Sequence, residues 1–207
     1  RLGRRQLGWG RWLRRWWRFW WRRRWLGWRW WPFRRRRRLG GLVMIRRLLR
    51  HVVAPSVRRA FPPDTLQAIT EAIAAGEARH GGQVMFAVEA DLPLHALWRG
   101  VTPRQAAEQA FAQLRTWDTH HNNGVLIYLL LADHAIEIVA DRGLHGRVSP
   151  AQWQRICTHL REGLRGANPV EALRSAIDEV SALVEGHFPA ATRSDDDGLP
   201  DTPQILG

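Results

Sequence analysis

The sequence predicts an α/β layered domain, a small β-sheet with helices packed on it. Three observations predict it. The longest apolar run of the body, 125–132, is followed by Asp133-His134 and a second run, 136–140, so a hairpin is the economical reading. The first run is apolar at nearly every position, as a strand covered on both faces would be, while the second alternates. Around this pair, three segments open on the same helix-start signal: Thr102-Pro103-Arg104-Gln105, Ser149-Pro150-Ala151-Gln152 and Asn168-Pro169-Val170-Glu171. Each reads as N-cap, Pro, any residue, then Gln or Glu. The cap takes an orphan N–H, Pro supplies helical φ where no donor is needed, and the third residue reaches back to the cap.

The elements follow in order. Residues 42–53 space Val43, Ile45, Leu48, Leu49, Val52 and Val53 among Arg46, Arg47 and Arg50, a short basic amphipathic helix ended by Pro55. Its apolar face suits either anionic lipid or a docking surface on the domain. A helix starts at Pro62-Pro63-Asp64, buries Leu66, Ile69, Ile73 and Gly76, and stops at His80-Gly81-Gly82. Residues 84–89 form a strand. Residues 91–100 are irregular, with a short turn burying Leu94, Leu97 and Trp98. The first Pro-started helix buries Ala107, Ala110, Phe111 and Leu114. The second buries Trp153, Ile156, Cys157, Leu160 and Leu164, and the third Leu173, Ile177, Val180 and Val184.

Charge divides the chain. Residues 1–43 hold sixteen Arg, ten Trp and no acid; the other sixteen Arg face nineteen acids, a net of −3, and Lys is absent. The overall charge of +13 thus belongs to one segment. Arg interrupts every turn of residues 1–38, so they are expected to be disordered or an isolated helix. Arg with Trp suits an anionic membrane surface, and also single-stranded nucleic acid. Arg, Trp and Gly share codons of the form NGG, and the composition turns ordinary at Met44, so residues 1–43 read as an over-extended start. The segment has no apolar core of a signal peptide and no run able to span a bilayer. One Cys, Cys157, rules out an intramolecular disulfide framework. The expected organisation is a low-complexity segment over 1–43, a basic helix and linker over 44–61, a globular domain over 62–188 and a disordered acidic tail over 189–207.

The chemistry-bearing residues lie around the hairpin. Asp118, His120, His121, Asn122 and Asn123 precede the first strand, and Asp141 and Arg142 follow the second. In a hairpin these two ends meet, so Asp118, Asn122, Asn123 and Asp141 are expected on one rim. Carboxylate and amide oxygens suit a hard cation. Asn122-Asn123-Gly124 also has a purely conformational reading, since Asn tolerates left-handed geometry and Gly permits it. A zinc site from His120, His121 and His134 is the weaker alternative, because His134 belongs at the far end of the hairpin. Arg142 is placed to hold a phosphate or to pair with Asp141. Cys157 lies on an apolar helix face and reads as an inert thiol. Asp195-Asp196-Asp197-Gly198 has neither a preceding strand nor a closing Glu, which excludes an aspartyl-phosphate or calcium loop. Gly-x-Gly-x-x-Gly, Walker, His-Glu-x-x-His and Gly-x-Ser-x-Gly motifs are absent.

Trp117-Asp118-Thr119, then Asn122-Asn123-Gly124-Val125-Leu126-Ile127-Tyr128, then Val139-Ala140-Asp141-Arg142-Gly143-Leu144 resembles the TPM domain family, also called TPM phosphatase. The resemblance covers about residues 60–188 and is nearest to a short bacterial branch without signal peptide or C-terminal membrane helix. It implies an α/β/α sandwich with helices on both faces of the sheet, divalent-cation binding in some members, and a weak acid phosphatase activity. This chain has Asp141-Arg142-Gly143 where many members have an aromatic-glycine pair. The function expected is a divalent-cation-responsive binding or assembly module, with weak metal-dependent phosphomonoester hydrolysis as the alternative. Asp118, Asn122, Asn123 and Asp141 are the candidate metal ligands, for calcium or magnesium, and Arg142 is the candidate phosphate contact. No catalytic residue is assigned. Expected partners are a protein and, through residues 1–53, an anionic membrane surface, rather than nucleic acid. The expected compartment is the cytoplasm, with membrane-surface association.

Overall fold

The hairpin forms as expected. In the computed structural model, which describes residues 36–192 and 199–206, β2 (Gly124–Leu130) and β3 (Ala135–Ala140) are antiparallel, with Val125 opposite Ala140 and Leu130 opposite Ala135. The expectations for residues 1–35 and for Asp195-Asp196-Asp197-Gly198 lie outside the described residues. The expected strand, β1 (Gln83–Glu89), pairs parallel to β2 along its length, Gln83 opposite Gly124 and Glu89 opposite Leu130. A parallel pair needs a crossover. Here it carries α4 (Leu94–Trp98) and α5 (Pro103–Gln113).

The remaining helices are α1 (Arg36–Val52), α2 (Val57–Ala60), α3 (Pro63–Glu77), α6 (Pro150–Gly163) and α7 (Pro169–Glu185), with 3-10 turns at Arg142–Leu144 and Ala190–Thr192. The three shared start signals place their helices at Pro103, Pro150 and Pro169. Thr102 and Asn168 accept the backbone N–H three residues on, at 3.2 and 3.3 Å. At Ser149 the Oγ–H and the backbone N–H both donate to Gln152 Oε1, each at 2.9 Å.

Helices cover both faces of the sheet. On one, Val84, Phe86, Val88, Val125, Ile127, Leu129, Ile136 and Ile138 pack with α3, α6 and α7 through Ile69, Ile73, Ile156, Leu160, Leu173, Ile177, Val180 and Val184. On the other, Met85, Ala87, Leu126, Tyr128, Leu130 and Val139 pack with Leu97 of α4 and Ala106, Ala107 and Ala110 of α5. The alternation along each strand assigns its residues to the two layers. The small side chains of α5 let its backbone approach the sheet closely.

Two expectations are corrected. The tail is not disordered throughout: β4 (Gln204–Leu206) adds to the far side of β1 in parallel, with Val88 opposite Ile205, giving the sheet order β3-β2-β1-β4. Three residues show no readable period, and only their pairing with β1 makes them a strand. In α4, Ala96 and Leu97 are buried, but Leu94 and Trp98 are exposed. Among the described residues no helix is long and apolar enough to cross a membrane.

Candidate functional site

The rim where the hairpin opens is built from loop residues before β2 and after β3. Asn122 adopts left-handed geometry, φ 52°, and its carbonyl accepts the Gly143 N–H at 2.8 Å. Its side-chain Oδ1 accepts the Arg142 Nε–H at 3.0 Å. Asp141 donates its backbone N–H to the Gly124 carbonyl at 2.9 Å, and its Oδ1 accepts the Arg142 backbone N–H at 2.7 Å, capping the 3-10 turn. Its Oδ2 is buried without a hydrogen-bond partner. Two glycines make the crossing of these loops possible through close approach. A Cβ at Gly143 would stand 2.5 Å from the carbonyl oxygens of His121 and Asn122, and one at Gly124 would stand 1.8 Å from that of Thr116. The left-handed residue of Asn122-Asn123-Gly124 is therefore Asn122 alone, and Gly124 serves as a contact point.

The structure brings Asn122, Asp141 and Arg142 together and separates Asn123 from them. Asn123 is wholly buried, and its Nδ2–H donates to the Gly81 carbonyl at 2.9 Å, pinning the start of β2 to the loop before β1. Strand alternation explains the split. Asn123 precedes Val125 and Ile127 on one face, while Asp141 follows Val139 on the other. Asp118 is exposed, with its backbone N–H bonded to the Arg115 carbonyl. The four candidate ligands thus do not form one cage. At this rim Asp141 Oδ2 is without a hydrogen-bond partner, while Asn122 Oδ1 is occupied by Arg142. His120 and His121 touch edge to face, and His134 lies at the other end of the hairpin. Among the described residues no group of three or more His, Cys, Asp and Glu side chains is placed to hold a metal.

A polar cluster lies at that other end, beyond the carboxyl ends of β1 and β2, where open α/β sheets commonly bind ligands. Here α1 lies across it. Asp133 Oδ2 is 2.7 Å from Arg47 Nη2 and 3.4 Å from His51 Nε2, and its Oδ1 is 3.1 Å from Arg50 Nη2. Arg47 also donates to the Val101 carbonyl at 2.7 Å, and His51 Nδ1 accepts the Leu92 N–H at 2.9 Å. Burial pushes the Asp133 carboxyl up, but hydrogen bonds from His51 and Arg47 and the charge of Arg47 outweigh it and hold the group at about 2. Burial, together with the Arg50 charge, pushes the His134 ring down to about 4. Beside them Tyr128 donates its hydroxyl to Glu89. Burial drives both of these groups upward, though the tyrosine's bond works against the rise at Glu89. Sequence reasoning passed over this network. Its signal was the spacing of Arg47, Arg50 and His51, one helical face, and Asp133 as the lone acid between two apolar runs.

A third concavity, about 460 Å³, runs along the β3 edge between Arg104, Glu137, Trp153 and Cys157. Arg104 donates to the Ile138 carbonyl at 2.6 Å, which closes part of that edge. Burial and the charge of Glu137 push the Cys157 thiol up to about 11, the opposite of what a nucleophile needs.

A family model described as TPM domain matches residues 58–183, more than half of the chain. The chain belongs to the TPM domain family. That span takes in the sheet strands β1 to β3, both layers and the rim, and it begins after α1. The TPM domain is similar to the NMR structure of the BA42 protein from the psychrophilic bacterium Bizionia argentinensis sp. nov., at 24% identity and a TM-score of 0.57. The match covers 70% of this chain and 95% of that one. At that identity the likeness is one of fold. The comparison with curated proteins finds no match.

Proposed function

We propose that this TPM domain is a binding module whose rim at Asn122, Asp141 and Arg142 responds to a divalent cation. The observation that carries the reading is Asp141 Oδ2, a buried carboxylate oxygen without a donor, beside a guanidinium already bonded to Asn122. An unsatisfied buried acceptor is costly, and calcium and magnesium take carboxylate and amide oxygens. Arg142 gives up Asn122 Oδ1 when that oxygen and Asp141 turn to ligation. Its planar fork is then open to a partner's carboxylate or phosphate. Asp118, exposed on the same loop, is the second carboxylate within this proposal. Asn123 keeps its bond to Gly81 and takes no part.

Metal-dependent phosphomonoester hydrolysis is the second reading, and the observation that favours it is Arg142, an exposed guanidinium at the rim. In that reading a metal-bound water would be the nucleophile, and the lone thiol, buried with its ionisation suppressed, takes no part. The binding reading stands first because the partnerless Asp141 oxygen supports it directly. Titration calorimetry of the full chain with calcium and magnesium tests it. Affinity should fall about tenfold or more in Asp141→Asn and rise in Arg142→Gln, which removes the competing cation. No binding to the unaltered chain, or equal binding by Asp141→Asn, would contradict the reading.

A further inference from the structure

α1 is docked through Arg47, Arg50 and His51, with Leu48 beside them against the layer of α4 and α5. Arg47, Arg50 and His51 recur at helical spacing and grip Asp133. At 100° per residue, Ile45, Leu49 and Val52 fall roughly opposite them, and they are 56%, 57% and 70% exposed. Val53 continues the stripe at 66%. Ordinary surface helices do the reverse, and contiguous exposed apolar area marks an interaction surface. The stripe extends onto α4. Met44, Ile45 and Leu48 line one apolar cleft with Leu97 and Trp98, and Trp98 is itself 73% exposed.

We propose that this face, the outward stripe of α1 with Trp98, seats on an anionic lipid surface. Charge selects the occupant. Arg46 borders the stripe and Arg99 follows Trp98, and the chain reaches the helix through thirteen Arg without an acid. A second copy on the same face would bring two such segments together, and like charges in one interface cost several kcal/mol. An anionic bilayer neutralises them instead, and takes indole and aliphatic side chains at its headgroup boundary. The Asp133 grip has a purpose in this arrangement: it spends the inner arginines on the domain and fixes the helix axis, so the apolar stripe is presented rather than buried.

The test uses the full chain carrying Leu49→Cys with an environment-sensitive dye. The buried Cys157 does not compete for the label. Vesicles of phosphatidylglycerol and phosphatidylcholine in equal parts should shift the emission to the blue and expose the dye to quenchers on the acyl chains. Phosphatidylcholine alone should not, nor should a dye at Arg155→Cys on α6. At high salt, where purely electrostatic binding by the Arg/Trp segment is screened, the triple variant Ile45→Ser, Leu49→Ser, Val52→Ser should partition about tenfold less than the unaltered chain. Its melting temperature should be unchanged, because the stripe supports no core. A dye that stays in water on vesicle-bound protein, or a triple variant that binds as well as the parent, overturns the proposal. So does a blue shift without lipid accompanied by doubled mass, which would assign the face to a second copy.

Discussion

His134 occupies the turn between β2 and β3 in left-handed geometry, φ 52°, half-buried and with Arg50 nearby. Protonation is therefore harder in the folded chain than in the unfolded one. The stability this confers is complete above the ordinary value of 6.5 and is lost as pH falls towards about 4. Asp133 adds a second, lower window: its contribution is complete above the ordinary 3.8 and is lost as pH falls through about 2. Thermal melts should show a fall in melting temperature between pH 6.5 and 4 that shrinks in His134→Asn, since Asn accepts the same backbone geometry. An undiminished fall in the variant would locate the loss elsewhere. The two residues were legible only as a polar break between strands. Arg47 on α1 is 86 positions away from Asp133, and no local pattern reports such a contact. Asn122 and Asn123 make the same point at the rim. They are alike in type and adjacent in sequence, yet one meets Arg142 and the other is sealed against Gly81, because the chain turns through left-handed geometry at Asn122 just before β2 begins.

The three Pro-started helices show what elements disclose on their own. Their caps are local, so Pro103, Pro150 and Pro169 could be named as first residues from sequence. Which cap carries the energy could not, because hydroxyl geometry decides it. Both hydroxyls donate to the Gln side chain three residues on, but Thr102 also accepts the Gln105 N–H at 3.2 Å. Thr102→Ala should cost about 1 kcal/mol in urea unfolding, and Ser149→Ala less. Equal costs would show that the reach-back of Gln, and not the cap oxygen, is the stabilising half. The amphipathic wheel of α1 was legible too, but its orientation was not: the sequence offered two faces, and Asp133 selected the charged one. Trp98 and Leu94 were expected inside because they are large and apolar, yet α4 is only five residues long and its inner side is filled by Ala96 and Leu97. β4 had no signal of its own and exists through its pairing with β1.

At the scale of the molecule, two helical layers on a four-stranded sheet leave the hairpin's two ends open to different uses. One end is sealed by α1 and its arginines. The other presents Asn122, Asp141 and Arg142. The order of elements was legible because each has local start and stop signals. The strand order β3-β2-β1-β4 was not, since it depends on which distant strands share a ladder. The central claim is the proposal that this rim is a cation-responsive binding site, with metal-dependent hydrolysis as the alternative to be separated from it. The most direct measurement is release of nitrophenol from p-nitrophenyl phosphate by the full chain with magnesium or calcium, before and after chelation, beside Asp118→Ala. No turnover above buffer in any sample is the predicted result. Turnover that requires the metal and disappears in Asp118→Ala would contradict the claim and make the rim an active site.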